Sequence, residues 1–232
     1  MSDLDKFLDL LAEGLQPGER LVGCVKSGDP QEGGWPFKAL TRSNDGRWRM
    51  PGNSALNRFT APSAFRAGAD GIVHRRKENW AAGLALMVDD VGEGSPSNKA
   101  DWAVLDGWKP TVLIETSPGN FQCWFMLTEP CRDREKFATL LTQFAVVRGG
   151  DPAAARPEQP ARTPEASNLK PKHGGWSVKV HHLDGPRYSL EDLADIFGLD
   201  LRVPYRRPRP MVSTEAEAAA QAAQRQVKQA AL

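Results

Sequence analysis

The sequence has no apolar run approaching the ~18 residues that a membrane-spanning helix needs. Its start, Met1-Ser2-Asp3-Leu4-Asp5-Lys6, lacks the basic-then-apolar order of a signal peptide. Cysteine is scarce: Cys24, Cys123 and Cys131 are an odd set without a CxxC pair, which argues against a disulfide framework and for a cytoplasmic chain. The four histidines do not sit at ligand spacings beside them, which argues against structural zinc. An excess of either charge is also missing. Lys plus Arg number 30 against 29 Asp plus Glu, for a net charge of +1, so a globally basic coat is excluded while a local basic patch is not. What is present is enough to fold. Hydrophobic residues make up 40% and charged residues 25% of 232 positions, which excludes a wholly disordered chain and allows a sizeable core. Eighteen prolines, about 8% of the chain, exceed the ~5% average and predict many irregular loops.

The pattern predicts helices over residues 3–15 and 134–147. The first carries Leu4, Phe7, Leu8, Leu11 and Leu15, and the second Phe137, Leu140, Leu141, Phe144 and Val147, at helical spacing. A third helix is predicted over 189–197, with Ser189 as N-cap and Asp192 three residues on. Strands are predicted at 20–26, 37–42, 57–60, 84–89 and 176–181, and a turn of helix at 63–66. The clearest signal is a hairpin, with 111–116 and 121–127 flanking Ser117-Pro118-Gly119-Asn120. Residues 149–176 read as too irregular for regular elements. Composition changes near Leu201, where four Arg and three Pro fall within 202–210, followed by an Ala- and Gln-rich stretch. These readings predict an α+β fold. It has a mostly antiparallel central sheet, flanking helices, Pro/Gly-rich loops and a basic linker with a partly helical or disordered tail at 201–232.

Three regions carry chemistry. Asp89-Asp90 closes an apolar strand, and a half-buried carboxylate needs a partner. Either the pair merely ends the strand before Gly92, or it binds a divalent metal, since Mg²⁺ favours one or two carboxylates plus phosphate oxygens. Strand alternation puts Asp89 on the face of Ala85 and Met87 and Asp90 on that of Leu86 and Val88, so both reach one site only if the strand bends there. The hairpin gathers Glu115, Thr116, Ser117 and Asn120 at its turn, with Gln122 on the face of Trp124 and Met126. It is either an ordinary surface hairpin or a nucleotide platform. The third region runs from Arg148 to Arg187, with seven Lys/Arg against four Asp/Glu. It is either a solvated loop or a cationic seat for a metal-bound triphosphate.

Together these stretches resemble the RepB-like primase family of plasmids and phages, within the archaeo-eukaryotic primase superfamily. The resemblance rests on Arg75 to Asn79, Met87-Val88-Asp89-Asp90-Val91-Gly92, Ile114 through Trp124, and Arg162-Thr163-Pro164 through Asn168-Leu169-Lys170-Pro171-Lys172. It covers roughly residues 50–200 in order. It implies an RRM-like catalytic sheet over a domain spanning 1–200, and a metal-dependent nucleotidyltransferase that makes short primers on a single-stranded DNA template from nucleoside triphosphates. Mg²⁺ or Mn²⁺ would be held by Asp89, Asp90 and Asp151. Nucleotide contacts would fall to Ser117, Asn120, Gln122, Arg162, Asn168, Lys170 and Lys172. Arg75, Arg76, Arg206 and Arg207 are candidates for gripping DNA, with Arg202 and Arg209 in the same linker. No Gly-x-x-x-x-Gly-Lys loop is present, so unwinding would come from a separate replicative helicase, in the cytoplasm of a bacterial host.

Two other readings stand beside it. One is a non-catalytic single-strand-binding accessory module on the same fold. The other is a rolling-circle nickase, which needs a His-x-His pair and a tyrosine nucleophile. Here the histidines are adjacent, His181-His182, and only Tyr188 and Tyr205 are available.

Overall fold

The computed structural model describes residues 1–30, 34–93, 99–150 and 155–202. Asp151, Tyr205, Arg206, Arg207, Arg209 and the rest of the proposed linker and tail beyond Arg202 lie outside the described residues. In chain order the elements are α1 (Asp3–Ala12), β1 (Val22–Lys26), β2 (Lys38–Ala39), β3 (Thr41–Arg42), β4 (Trp48–Arg49), β5 (Asn57–Thr60), β6 (Ser63–Phe65), β7 (Trp80–Val91), β8 (Val112–Ser117) and β9 (Asn120–Cys131). They continue with α2 (Arg134–Arg148), β10 (Ala161–Arg162), β11 (Ser167–Asn168), β12 (Trp176–Ser177), β13 (Lys179–His182) and α3 (Leu190–Phe197). The main sheet has five strands in the order β13-β8-β9-β7-β6, and a second has four in the order β10-β5-β1-β2. Each pairing between these strands is antiparallel, with isolated parallel bridges from Val91 to Ala100 and from Leu127 to Tyr188.

Alternation along the long strands separates two cores. Ala85, Met87, Trp124, Met126 and Ile114 point to one face, where Leu4, Phe7, Leu8 and Leu11 of α1 cover them. Leu86, Val88, Cys123, Phe125 and Leu127 point to the other, covered by Phe137, Leu140, Leu141 and Phe144 of α2 and Leu193 and Phe197 of α3. The helices form in the predicted regions, but α1 ends at Ala12, before Leu15, and Val147 of α2 is exposed rather than on the buried face. The capping box on α3 is complete, with Ser189 accepting from the Asp192 N–H and Asp192 from the Ser189 N–H. Gly83 lets α2 approach closely, because a Cβ there would lie 2.4 Å from the Phe137 ring.

Several expectations change. Residues 63–65 are strand, not helix: Ser63 and Ala64 pair with Gly83 and Ala82 of β7. β7 runs twelve residues, well beyond the apolar run that announces it, because β6 and β9 pair along it on both sides. The region after α2 is not devoid of regular structure. Short β10 and β11 form there because Ala161 and Arg162 pair with Thr60 and Phe59, and Ser167 and Asn168 with Ser177 and Trp176. Among the described residues no helix is long and apolar enough to cross a membrane.

Candidate active site

One face of the main sheet changes character along its length. It runs Ala85-Met87-Asp89 on β7, Val112-Ile114-Thr116 on β8 and Met126-Trp124-Gln122 on β9. It is apolar beneath α1 and polar where Asp89, Thr116 and Gln122 line a cleft of about 710 Å³. Asp90 joins Asp89 there because the strand bends at that point. The register between β7 and β9 shifts between Val88 and Val91, and Asp90 adopts a left-handed φ of 56°. Aspartate tolerates that conformation better than most residues. The turn is held by the Asp90 N–H donating to Asp89 Oδ1 at 3.0 Å and by the Lys99 N–H donating to the Asp90 carbonyl at 2.9 Å. The Asp90 carboxylate accepts from Asn120 Nδ2 at 2.9 Å and pairs with Lys99 Nζ at 3.3 Å.

The opposite wall belongs to the short-stranded sheet and the loops leaving it. Asn57 is fully buried and organises it. Its amide donates to the carbonyls of Lys26 and Gly28, and its Oδ1 accepts from Arg162 Nη1 at 2.6 Å and the Leu169 N–H at 3.1 Å. Arg162, 4% exposed, also donates to the Ser167 carbonyl and to Asn168 Oδ1, and lies 4.8 Å from the Phe59 ring centroid. Asn168 Nδ2 in turn donates to the Thr116 carbonyl at 2.8 Å, tying this wall to β8. Burial draws the Arg162 pKa down to about 10, with Asp89 opposing the shift. Burial and the neighbouring Lys172, Lys170 and Arg162 lower that of His173, with Asp90 opposing them.

The cleft lining holds six Lys/Arg (Arg75, Lys99, Arg156, Arg162, Lys170 and Lys172) against three carboxylates, Asp89, Asp90 and Glu158. Glu158 is itself bound by Arg134. A polyanion therefore suits the cleft. Two buried side-chain oxygens there, Asn120 Oδ1 and Gln122 Oε1, have no hydrogen-bond partner, an arrangement that favours a ligand supplying one.

Of the residues singled out in the sequence, Asp89, Asp90, Ser117, Asn120, Gln122, Arg162, Asn168, Lys170, Lys172 and Arg75 all line this one cleft. Arg76 does not; it is exposed and outside the lining. Arg202 pairs with Asp200 at 2.9 Å, also outside it. The hairpin is central rather than superficial, with Ser117, Asn120 and Gln122 all buried. Glu165, within the cationic loop, lies outside the lining and accepts from the Leu4 N–H at the start of α1. Tyr188 donates its hydroxyl to the Lys109 carbonyl and is 7% exposed. Sequence reasoning passed over Trp35, Phe59, Lys99 and Arg156 in the lining and Asn57 behind it, while His173, at the end of the cationic loop, does reach the cleft. A polar residue opening a strand was the available sign for Asn57, and a tryptophan in a Gly/Pro-rich loop the sign for Trp35. Among the described residues no group of three or more His, Cys, Asp or Glu stands ready for a metal.

A family model for the RepB DNA-primase N-terminal domain matches residues 61–195. A DNA primase from Acidithiobacillus ferrooxidans is 29% identical over 89 residues, 38% of this chain and 24% of that protein. The chain thus matches about a quarter of the length of this curated relative. Among solved structures, the AEP domain of the cyanophage S-2L primase-polymerase is similar with a TM-score of 0.56 at 12% identity, over 84% of this chain and 98% of that one. The catalytic domain of primase RepB′, solved in complex with initiator DNA, is similar with a TM-score of 0.51 at 18% identity, over 85% and 94%. At these identities the two likenesses establish a shared fold.

Proposed function

This chain belongs to the RepB DNA-primase N-terminal domain family, and on that premise we propose that it is a replication primase, joining nucleotides on single-stranded DNA into short primers. The observation that carries this reading is the meeting of Asp89 and Asp90 with the cationic segment 162–173 across one cleft. The donors fit Mg²⁺ or Mn²⁺: two carboxylates plus the unpartnered amide oxygens of Asn120 and Gln122 are hard oxygen ligands. Asp89 and Asp90 would hold the ion, with Asp151 as a third acid. When bound, it supplies neutralising charge to phosphate and acidity to a coordinated hydroxyl.

The chain's own residues do the rest. Lys170 and Lys172 neutralise the phosphates of the incoming nucleoside triphosphate and the pyrophosphate that leaves. Arg162, its fork already engaged by Asn57, Ser167 and Asn168, contributes fixed positive charge and holds the loop in place. Ser117, Asn120 and Gln122 offer hydrogen bonds at the hairpin end. Lys99 neutralises Asp90 and Asn120 orients it, which keeps the acid pair from repelling itself. In this reading the main sheet is the RRM-like element and residues 1–200 the catalytic domain. Arg206 and Arg207, outside the described residues, are further candidates for contacts to DNA phosphates. The work belongs to plasmid or phage replication in the bacterial cytoplasm, with a separate helicase.

The test is incubation with single-stranded template, labelled nucleotides and Mg²⁺ or Mn²⁺. Asp89→Asn and Asp89→Ala should lower product by ~100-fold or more and leave oligonucleotide affinity within about twofold, because the residue's role is in chemistry rather than in holding DNA. Absence of product from the unaltered chain, or full synthesis by both variants, would replace this reading with the non-catalytic binding module.

A further inference from the structure

One aromatic of the cleft lining has no part in that chemistry. Trp35 meets Phe59 edge to face at 4.9 Å and stacks against Phe37 at 6.2 Å, while Phe59 itself is 6% exposed and lies beside the Arg162 guanidinium. Trp35 is half-buried and belongs neither to the two cores of the main sheet nor to the small apolar cluster of Val22, Ala61 and Phe65. Cations flank the rings: Lys26 lies 5.2 Å from the Trp35 centroid, and the Arg75 guanidinium 4.4 Å from that of Phe37. Arg75 Nε is buried without a hydrogen-bond partner, and Arg156 shares the same stretch of lining.

Resting on the primase reading, we propose that Trp35, braced edge to face by Phe59, is a stacking platform for a base of the single-stranded template, with Arg75 and Arg156 beside the flanking phosphates. A template base facing the first two nucleotides has no finished base pair next to it, so its π-face must find a partner in the protein. Aromatic rings do this for every base alike. Template is favoured over incoming nucleotide here because Asp90, Lys170 and Lys172 gather about His173, where a metal-bound triphosphate belongs, whereas the neighbours of Trp35 are Phe37, Phe59 and Lys26. Glu158, beside Arg75, is occupied by Arg134.

Stacking and phosphate grip separate in a binding assay by fluorescence anisotropy, using a labelled oligothymidylate and an abasic oligomer of equal length. The unaltered chain should prefer the oligothymidylate. Trp35→Ala should weaken that binding by about 5- to 50-fold, leave the abasic oligomer unaffected, and so remove the preference. Trp35→Phe should retain most of it. Thermal melting monitors folding, and Trp35→Leu, which keeps apolar bulk without a π-face, should reproduce the Ala result if Ala unfolds the loop. Equal binding of both oligomers by the unaltered chain, or an unchanged preference in the Ala and Leu variants, overturns the platform. Loss confined to nucleoside triphosphate affinity overturns the template assignment. A chain that shows the base preference yet makes no primers keeps the platform and loses the primase reading.

Discussion

The two walls of the cleft are built by different means. The acid wall stands on β7, β8 and β9, long strands whose register is set by apolar side chains packed on both faces. The basic wall stands on β1, β5 and β10, strands of two to five residues held in register by buried polar side chains, above all Asn57, Arg162 and Asn168. A wall fixed by packing tolerates polar change at its rim. A wall fixed by hydrogen bonds transmits the loss of one bond directly to the residues that face the ligand.

The largest effect should come from the packed side. Phe125 is fully buried against Tyr188 and Phe197, and Phe125→Ala should cost about 3–5 kcal/mol in chemical denaturation. Nucleotide affinity should be preserved wherever the variant remains folded. Asn57→Ala should cost less, about 2 kcal/mol, yet weaken nucleotide binding several-fold by isothermal titration, because Arg162 and Leu169 lose their shared acceptor. A Phe125→Ala protein with impaired binding beside an Asn57→Ala protein with normal binding would break the contrast. The smallest effect is a pH dependence at the tip of the acid wall. Burial alone would raise the Glu115 pKa, but the Gly119 N–H, His181 and Lys179 outweigh it and hold it below 4.5. That contribution is present above the unfolded value and is lost as pH falls through the folded one. Glu115→Gln should therefore flatten the acid limb of the stability curve by less than ~1 kcal/mol, as melting from pH 7 to 3 would reveal.

The same contrast explains what could be read in advance. The three helices, the hairpin and the core of β7 announce themselves through apolar periodicity, and the acidic end of β7 through its abrupt change of chemistry. β6, β10 and β11 do not, because two or three residues are too few to show a period and their partners lie far away in sequence. The Asp89-Asp90 pair shows both sides of this. Its composition marks it as a candidate site, while alternation alone would put the two side chains on opposite faces. The bulge and the left-handed backbone at Asp90 resolve that conflict.

By itself the sequence determined the residue types that a polyanion site requires and the long elements that carry half of them, since both are local properties of composition and period. Only the tertiary structure decided that Asp90 turns to join Asp89, that Asn57 seats Arg162, that Glu165 turns to α1, and that Trp35 faces the cleft. Each of these depends on contacts between segments distant along the chain, and no local pattern encodes which of several available partners a short strand or a polar side chain will find.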